Sequence, residues 1–433
     1  METIVALATP AGNSGVAIIR ISGEHSKSIL QKLICEDLEF EPRKMYLKNI
    51  YANGIVDKAL VVFFATPFSF TGEDVAEVQV HGGYFLAQKI IEQIINLGAR
   101  LATAGEFSKR AFINGKMSAD QAEGIMDLIN AESEMQAKLG SSLMHGKLKT
   151  QVENYQNAIT EILAEIEAKL DYPEYEYTAQ ETTNVLKRIK CLINDLNALV
   201  DDSKNGERIK NGVKVAIVGA PNVGKSSLLN ALTKSNKAIV TNIAGTTRDV
   251  VEAEYVFDGI IFRLFDTAGI RDSSDIVEQI GIDRARKTLD DADLVMLVSD
   301  SENPCAVTTN KPYINVFNKS DLLKEGSPKN DSSLYVSAVS GENIDKLKQE
   351  IFNKTIVKGI ESDKLYLTNT RHIECVKRAI LHLENVANIF EFTTMDIISN
   401  EIKWAWLSLG EITGSTSDER IIDKIFSKFC LGK

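Results

Sequence analysis

Residues 213–227 read Val213-Lys-Val-Ala-Ile-Val-Gly219-Ala-Pro-Asn222-Val223-Gly224-Lys225-Ser226-Ser227, and Leu228, Leu229 and Leu232 continue at helical spacing. A β-branched strand, a GxxxxGK[ST] loop and a helix, in that order, wrap backbone N–H groups around phosphate at a helix N-terminus. In such a loop Lys225 neutralises charge on the β- and γ-phosphates and Ser226 ligates Mg²⁺. Strand and helix patterns alternate from residue 213 to about 354, which predicts a doubly wound parallel sheet.

Further motifs follow in chain order. Asp266-Thr267-Ala268-Gly269 closes the apolar run 261–265 and offers a carboxylate to the Mg²⁺ shell and an amide to the γ-phosphate. Asn318-Lys319-Ser320-Asp321 closes the run 314–317. An aspartate there accepts from guanine N1–H and from the 2-amino group; adenine presents neither donor. Ser337-Ala338, after 334–336, resembles the loop that backs the base. Thr246 and Thr247 lie in a switch-like segment, Ala244-Gly-Thr-Thr-Arg-Asp249, where a threonine closes onto Mg²⁺ beside Ser226; Thr247 is the expected ligand. The strand-linked motifs each fall at a C-terminal strand end, where open α/β sheets bind ligands, so GTP is the expected nucleotide. Ile270 occupies the place of the water-orienting glutamine of Ras-like proteins, so hydrolysis needs help from elsewhere.

Outside this segment, composition sets bounds. The 433 residues exceed one core and predict two to four domains. With 44% apolar and 25% charged residues, the chain is ordinary globular protein rather than disordered or repetitive. A net charge of −11 means that any RNA contact needs a local basic patch or a partner that supplies one. The five cysteines form no CxxC pair and the five histidines no HExxH, which argues against disulfide or zinc frameworks. The longest apolar run, near 59–65, is too short to span a bilayer, and the first ten residues lack a basic n-region. A cytoplasmic protein without membrane association is expected.

The strand-like runs 4–8, 16–21, 59–64 and 75–80 and a helix near 87–97 predict an α+β domain over 1–116. Helical periodicity then takes over. Ile159, Ile162, Leu163, Ile166 and Leu170 form one stripe, Asp171-Tyr172-Pro173 breaks it, and Leu186, Ile189, Ile193, Leu196 and Val200 form another. Lys204-Asn205-Gly206 and Asn211-Gly212 read as a boundary. Helical periods return at 372–390, 397–409 and 419–429. The expected fold is multidomain: an N-terminal domain (1–116), a discontinuous α-helical domain (117–205 and 361–433), and an α/β P-loop G domain (206–360) inserted between its halves.

Asn222 within GAPNVGKSS, the stretch TNIAGTTRD at 241–249 and DTAGIR at 266–271 resemble the tRNA modification GTPase MnmE (TrmE) family. So do ETIVALATPAGNSGVAIIRISG at 2–23, TGEDVAEVQVHGG at 71–83, GEFSKRAFINGKMSADQAEGIMDLI at 105–129 and the terminal Cys430-Leu-Gly-Lys433. Ribosome-assembly GTPases share the G motifs but not these flanks. The resemblance implies a homodimer joined through N-terminal domains. It also implies a heterotetramer with the FAD-dependent protein MnmG (GidA), acting on C5 of the wobble uridine (position 34) of certain tRNAs. It implies a folate-binding-like N-terminal fold that takes a 5-formyl- or 5,10-methylenetetrahydrofolate derivative through Arg20, Glu77, Lys116 and Lys433. Arg and Lys suit a glutamate tail, and a carboxylate suits the pterin edge. The family's catalytic carboxylate maps to Glu278, and its C-terminal cysteine to Cys430. By the same analogy K⁺ is held by Asn222, by the carbonyls of Thr241 and Ile243, and by Thr246.

About a dozen residues separate the runs 294–299 and 313–317, which predicts a crossover helix absent or reduced to a turn. The rival reading is a stand-alone ribosome-assembly GTPase that docks on ribosomal RNA. It calls for a basic RNA-binding module, of which the charge balance gives no sign.

Overall fold

The computed structural model describes the chain except residues 172–177, 235–252, 267–288, 302, 304–308, 324–331, 357–363, 431 and 433. It divides into two compact units. One comprises Met1–Met126, Ser141–Ile193 and Arg378–Lys433, the other Asp127–Gly140 and Asn194–Lys377.

In the first unit a six-stranded sheet has the order β3-β4-β5-β2-β1-β6, with β1 Ile4–Leu7, β2 Val16–Ser22, β3 Met45–Ala52, β4 Ile55–Phe64, β5 Val75–His81 and β6 Arg100–Leu101. All pairs are antiparallel except β1 with β6. Inward residues alternate along each strand, as a half-buried sheet requires. Ile19, Ile21, Ile50, Val61 and Val78 meet Ile29, Leu30 and Leu33 of the helix Ser26–Ile34 and Ile90 and Ile94 of the helix Tyr84–Asn96. Each such side chain, fully buried, contributes roughly 1.5–3 kcal/mol. Strands β3 and β4 form a hairpin through Asn53-Gly54, both at positive φ (49° and 82°), the two-residue turn whose twist matches the strands.

The stripe on 159–170 lies on the helix Lys147–Asp171, which buries Ile159, Ile162 and Ile166 and packs along the helix Met395–Thr413. Gln156 Nε2 donates to the Trp406 carbonyl at 3.1 Å. Asp418 caps the helix Glu419–Phe426 by accepting from Arg420 N–H at 2.9 Å. Its Ile422, Ile425 and Phe426 close over Ala119 and Ala122.

The second sheet has the order β12-β11-β10-β7-β9-β8, with β7 Val213–Gly219, β8 Ala253–Phe257, β9 Ile260–Asp266, β10 Leu294–Ser299, β11 Tyr313–Phe317 and β12 Ser333–Tyr335. The pairs β12-β11, β11-β10, β10-β7 and β7-β9 are parallel, as predicted. The edge strand β8 is antiparallel, because Asp258-Gly259 makes a tight hairpin with both residues at positive φ. The polar run Lys204-Asn205-Gly206 does not end a helix but lies inside the helix Ala179–Asn211. Ser203 and Asn205 are buried there, and Gly206 leaves room for the Leu367 carbonyl, which a Cβ would meet at 2.3 Å. The helix ends at Gly212, as its positive φ favours.

Candidate functional site

The loop after β7 turns through Asn222 (φ 65°) and Gly224 (φ 89°) into the helix Lys225–Lys234, whose first turn carries Ser226 and Ser227 at the surface. Val223 is fully buried and anchors the loop in the sheet core. A Cβ on Gly224 would lie 2.4 Å from Asn318 Nδ2, so only glycine lets the loop and the 318–321 segment touch. Lys225 Nζ donates to the carbonyls of Gly219 at 2.8 Å and Ala220 at 3.2 Å, folding its ammonium back over the loop.

Asp266 ends β9 with Oδ1 buried and unpartnered among the described residues. Burial pushes its carboxyl above the ordinary range, and the Lys225 charge offsets this only in part. A desolvated oxygen with an open lone pair beside the phosphate loop fits a hydrated divalent cation, directly or through water. The Asn222 side-chain amide has no partner among the described residues and is exposed, which leaves its oxygen open to an ion.

The base motif is wired into the loop. Asn318 Nδ2 donates to the Val223 carbonyl at 2.9 Å, and Asn318 Oδ1 accepts from Ala338 N–H at 3.2 Å. Lys319 Nζ donates to the Asn222 carbonyl at 2.7 Å and pairs with Asp300 at 2.6 Å. Asp321 accepts from Ser337 Oγ at 2.5 Å through Oδ1. Asn222, Val223, Gly224, Lys225, Asn318, Lys319, Asp321, Ser337 and Ala338 thus gather at the C-terminal ends of β7, β11 and β12. The sequence reading missed Asp300; its signal was a carboxylate directly after a strand whose neighbours end in motifs.

In the first unit Arg20 and Glu77 stand opposite each other on β2 and β5, with Arg20 Nε donating to Glu77 Oε1 at 2.8 Å. The guanidinium lies 5.1 Å from the Phe70 ring centroid and 5.8 Å from that of Phe107. Lys116 Nζ donates to the Pro67 carbonyl at 2.9 Å, so Arg20 and Lys116 both touch the loop 67–72. A partly exposed guanidinium–carboxylate pair beside aromatic rings has the donor and acceptor set a pterin-glutamate ligand requires. Cys430 is exposed, and its carbonyl accepts from Gly105 N–H at 3.4 Å. Gly432 (φ 91°) lies so close to β1 that a Cβ would sit 2.1 Å from the Leu7 carbonyl oxygen. Thr241, Ile243, Thr246, Thr247, Thr267, Ala268, Gly269, Glu278 and Lys433 lie outside the described residues.

Comparison with known proteins adds the following. A family model described as the MnmE helical domain matches residues 120–430, and one described as the GTP-binding protein TrmE N-terminus matches residues 3–116. A tRNA modification GTPase MnmE from Acholeplasma laidlawii (strain PG-8A) is 38% identical over 447 residues, covering 100% of this chain and 99% of that protein. Its counterpart from Streptococcus thermophilus (strain CNRZ 1066) is 38% identical, covering 100% and 98%. That from Francisella tularensis subsp. novicida (strain U112) is 37% identical, covering 100% and 99%.

Proposed function

The chain belongs to the MnmE family of tRNA modification GTPases, and we propose that it hydrolyses GTP while modifying C5 of the wobble uridine (position 34) of certain tRNAs. It does so with an FAD-binding partner, MnmG (GidA), adding an aminomethyl or carboxymethylaminomethyl group. The observation that carries the reading is that Asn318 and Lys319 bond directly to the loop over which Lys225 folds, with Asp321 held by Ser337 in the same segment. The test is mass spectrometry of wobble uridines in cells lacking the gene, with unmodified C5 as the expected result. Normal modification would overturn the assignment.

In this reading residues 206–360 are the G domain, 1–116 the folate-binding and dimerisation domain, and 117–205 with 361–433 the helical domain; the protein is cytoplasmic. Among the described residues no helix is long and apolar enough to cross a membrane. Homodimerisation is supported by the sheet face that carries Arg20 and Glu77. Val16, Met45, Leu47, Tyr51, Val56 and Leu60 alternate onto that face, each between 39% and 57% exposed. A solvated face this apolar marks an interface.

At the nucleotide, Lys225 neutralises charge on the β- and γ-phosphates, Asp321 reads guanine, and Ser226 with Thr247 would hold Mg²⁺, with Asp266 behind. Mg²⁺ supplies neutralisation of the phosphate charge when bound. Glu278 orients the attacking water, and Asn222, Thr241, Ile243 and Thr246 present oxygens to K⁺. An arginine finger contributes about 10³–10⁵ in rate, and the oxygen cage serves the same demand through a cation. Hydrolysis is therefore expected to run at least about tenfold faster in KCl than in NaCl at equal ionic strength. Asn222→Ala should lose that stimulation and Glu278→Ala should lose turnover. Equal rates in the two salts would refute the cation mechanism and leave the GTPase assignment standing.

A further inference from the structure

Asp300 is a carboxylate that no motif demands, in the short connection between β10 and β11. Residues 300, 301, 303 and 309–312 of that connection carry no helix or strand. The carboxylate is nonetheless almost wholly buried, its side chain 3% exposed. A buried charge persists only where it is paired and its remaining lone pairs are bonded. Both conditions hold. Asp300 Oδ1 accepts from Asn303 N–H at 2.8 Å and from Asn303 Nδ2 at 3.0 Å, and Oδ2 accepts from Lys319 Nζ at 2.6 Å. The same ammonium donates to the Asn222 carbonyl at 2.7 Å.

We propose that Asp300 is a positioning residue for nucleotide binding: its carboxylate fixes the Lys319 ammonium, which in turn holds the phosphate loop at Asn222. The chain of bonds is Asn303 to Asp300 to Lys319 to the Asn222 carbonyl. With that carbonyl tied outward on the base-motif side, the N–H groups of the following peptides are left for phosphate. Loss of the anion frees a long, flexible side chain that otherwise bridges two segments 97 residues apart in sequence. Asp300 touches no nucleotide in this scheme; it acts through Lys319.

The inference rests on residues 219–226 and 318–321 being the nucleotide site. The experiment is titration of the full chain with a fluorescent GDP analogue, together with steady-state GTP hydrolysis. Asp300→Asn, which keeps shape and removes charge, is expected to weaken GDP binding about tenfold, the scale of one charge-assisted bond. KM for GTP should rise with it, by a larger factor than kcat falls. Because Asp300 acts through Lys319, Asp300→Asn combined with Lys319→Met should bind no more weakly than Lys319→Met alone. GDP affinity within twofold of the wild type for Asp300→Asn, or losses that multiply in the double variant, would overturn the proposal. If Asp300→Asn fails to fold, Lys319→Met decides: unchanged GDP affinity there overturns it equally. Lys225→Ala serves as the control. If it too binds GDP normally, the site reading itself has failed; if it alone loses binding, only the role of Asp300 has.

Discussion

Asp321→Asn is expected to weaken GTP binding by about 2–4 kcal/mol and to raise affinity for xanthosine triphosphate. A carboxylate at this position accepts two hydrogen bonds from guanine, N1–H and the 2-amino group. An amide keeps one acceptor but presents a donor where guanine also presents a donor, so one of the two contacts turns repulsive. Xanthine carries a carbonyl in place of the 2-amino group and matches the amide. Ser337 Oγ already occupies Oδ1 of Asp321 at 2.5 Å, which holds the carboxylate in orientation before any base arrives. An amide nitrogen placed there would face a hydroxyl able to reverse its role, so the variant should fold normally. Equilibrium titration with both nucleotides gives the answer; unchanged GTP affinity would mean that residues 318–321 do not read the base.

Replacing Gly432 by alanine is expected to abolish wobble-uridine modification and to leave GTP hydrolysis largely intact, as should deletion of 430–433. The reason is steric. At φ 91° a side chain is strained, and its Cβ would stand 2.1 Å from the backbone oxygen of Leu7. The strand cannot yield cheaply, because β1 is hydrogen-bonded on both edges, to β2 and β6. The tail would therefore leave its seat and carry Cys430 away from the sheet of Arg20 and Glu77. The residues of the phosphate loop and base motif all belong to the other unit. Complementation of a deletion strain, read as modified uridine per tRNA alongside purified GTPase rate, checks both halves. Wild-type modification by the alanine variant would remove the tail from the chemistry.

Much of this was legible in the sequence because phosphate and base recognition depend on short contiguous segments. The loop at 219–226 and the segment 318–321 each fix their backbone locally, so their spacing after strands suffices to locate them. Residues 45–52 are different. That strand forms an edge on which Asn49 faces outward among apolar residues and Lys48 inward, so its apolar alternation is weak; the clue was the Asn53-Gly54 turn behind it. The antiparallel β8 escaped for the same reason, its evidence being two residues, Asp258-Gly259. Helix 179–211 was cut short in the reading because a polar run normally signals solvent. Here Ser203 and Asn205 are buried by tertiary contact, which composition does not report. Asp300 left only a faint signal, a carboxylate directly after a strand, because its importance is a distance to Lys319 rather than a pattern.

The first unit is assembled from three stretches of chain, and that order has a cost during synthesis. The apolar stripe of Lys147–Asp171 is covered by Met395–Thr413, whose first residue leaves the ribosome 224 positions later than Asp171. At about 5–20 residues per second, this helix waits roughly 10–45 s for its covering partner. The nascent chain meanwhile makes a whole nucleotide-binding sheet, all six of whose strands come from the contiguous segment 213–335. The switch is therefore ready before the modification apparatus, and a chain that terminates early yields a sticky helix attached to a finished motor.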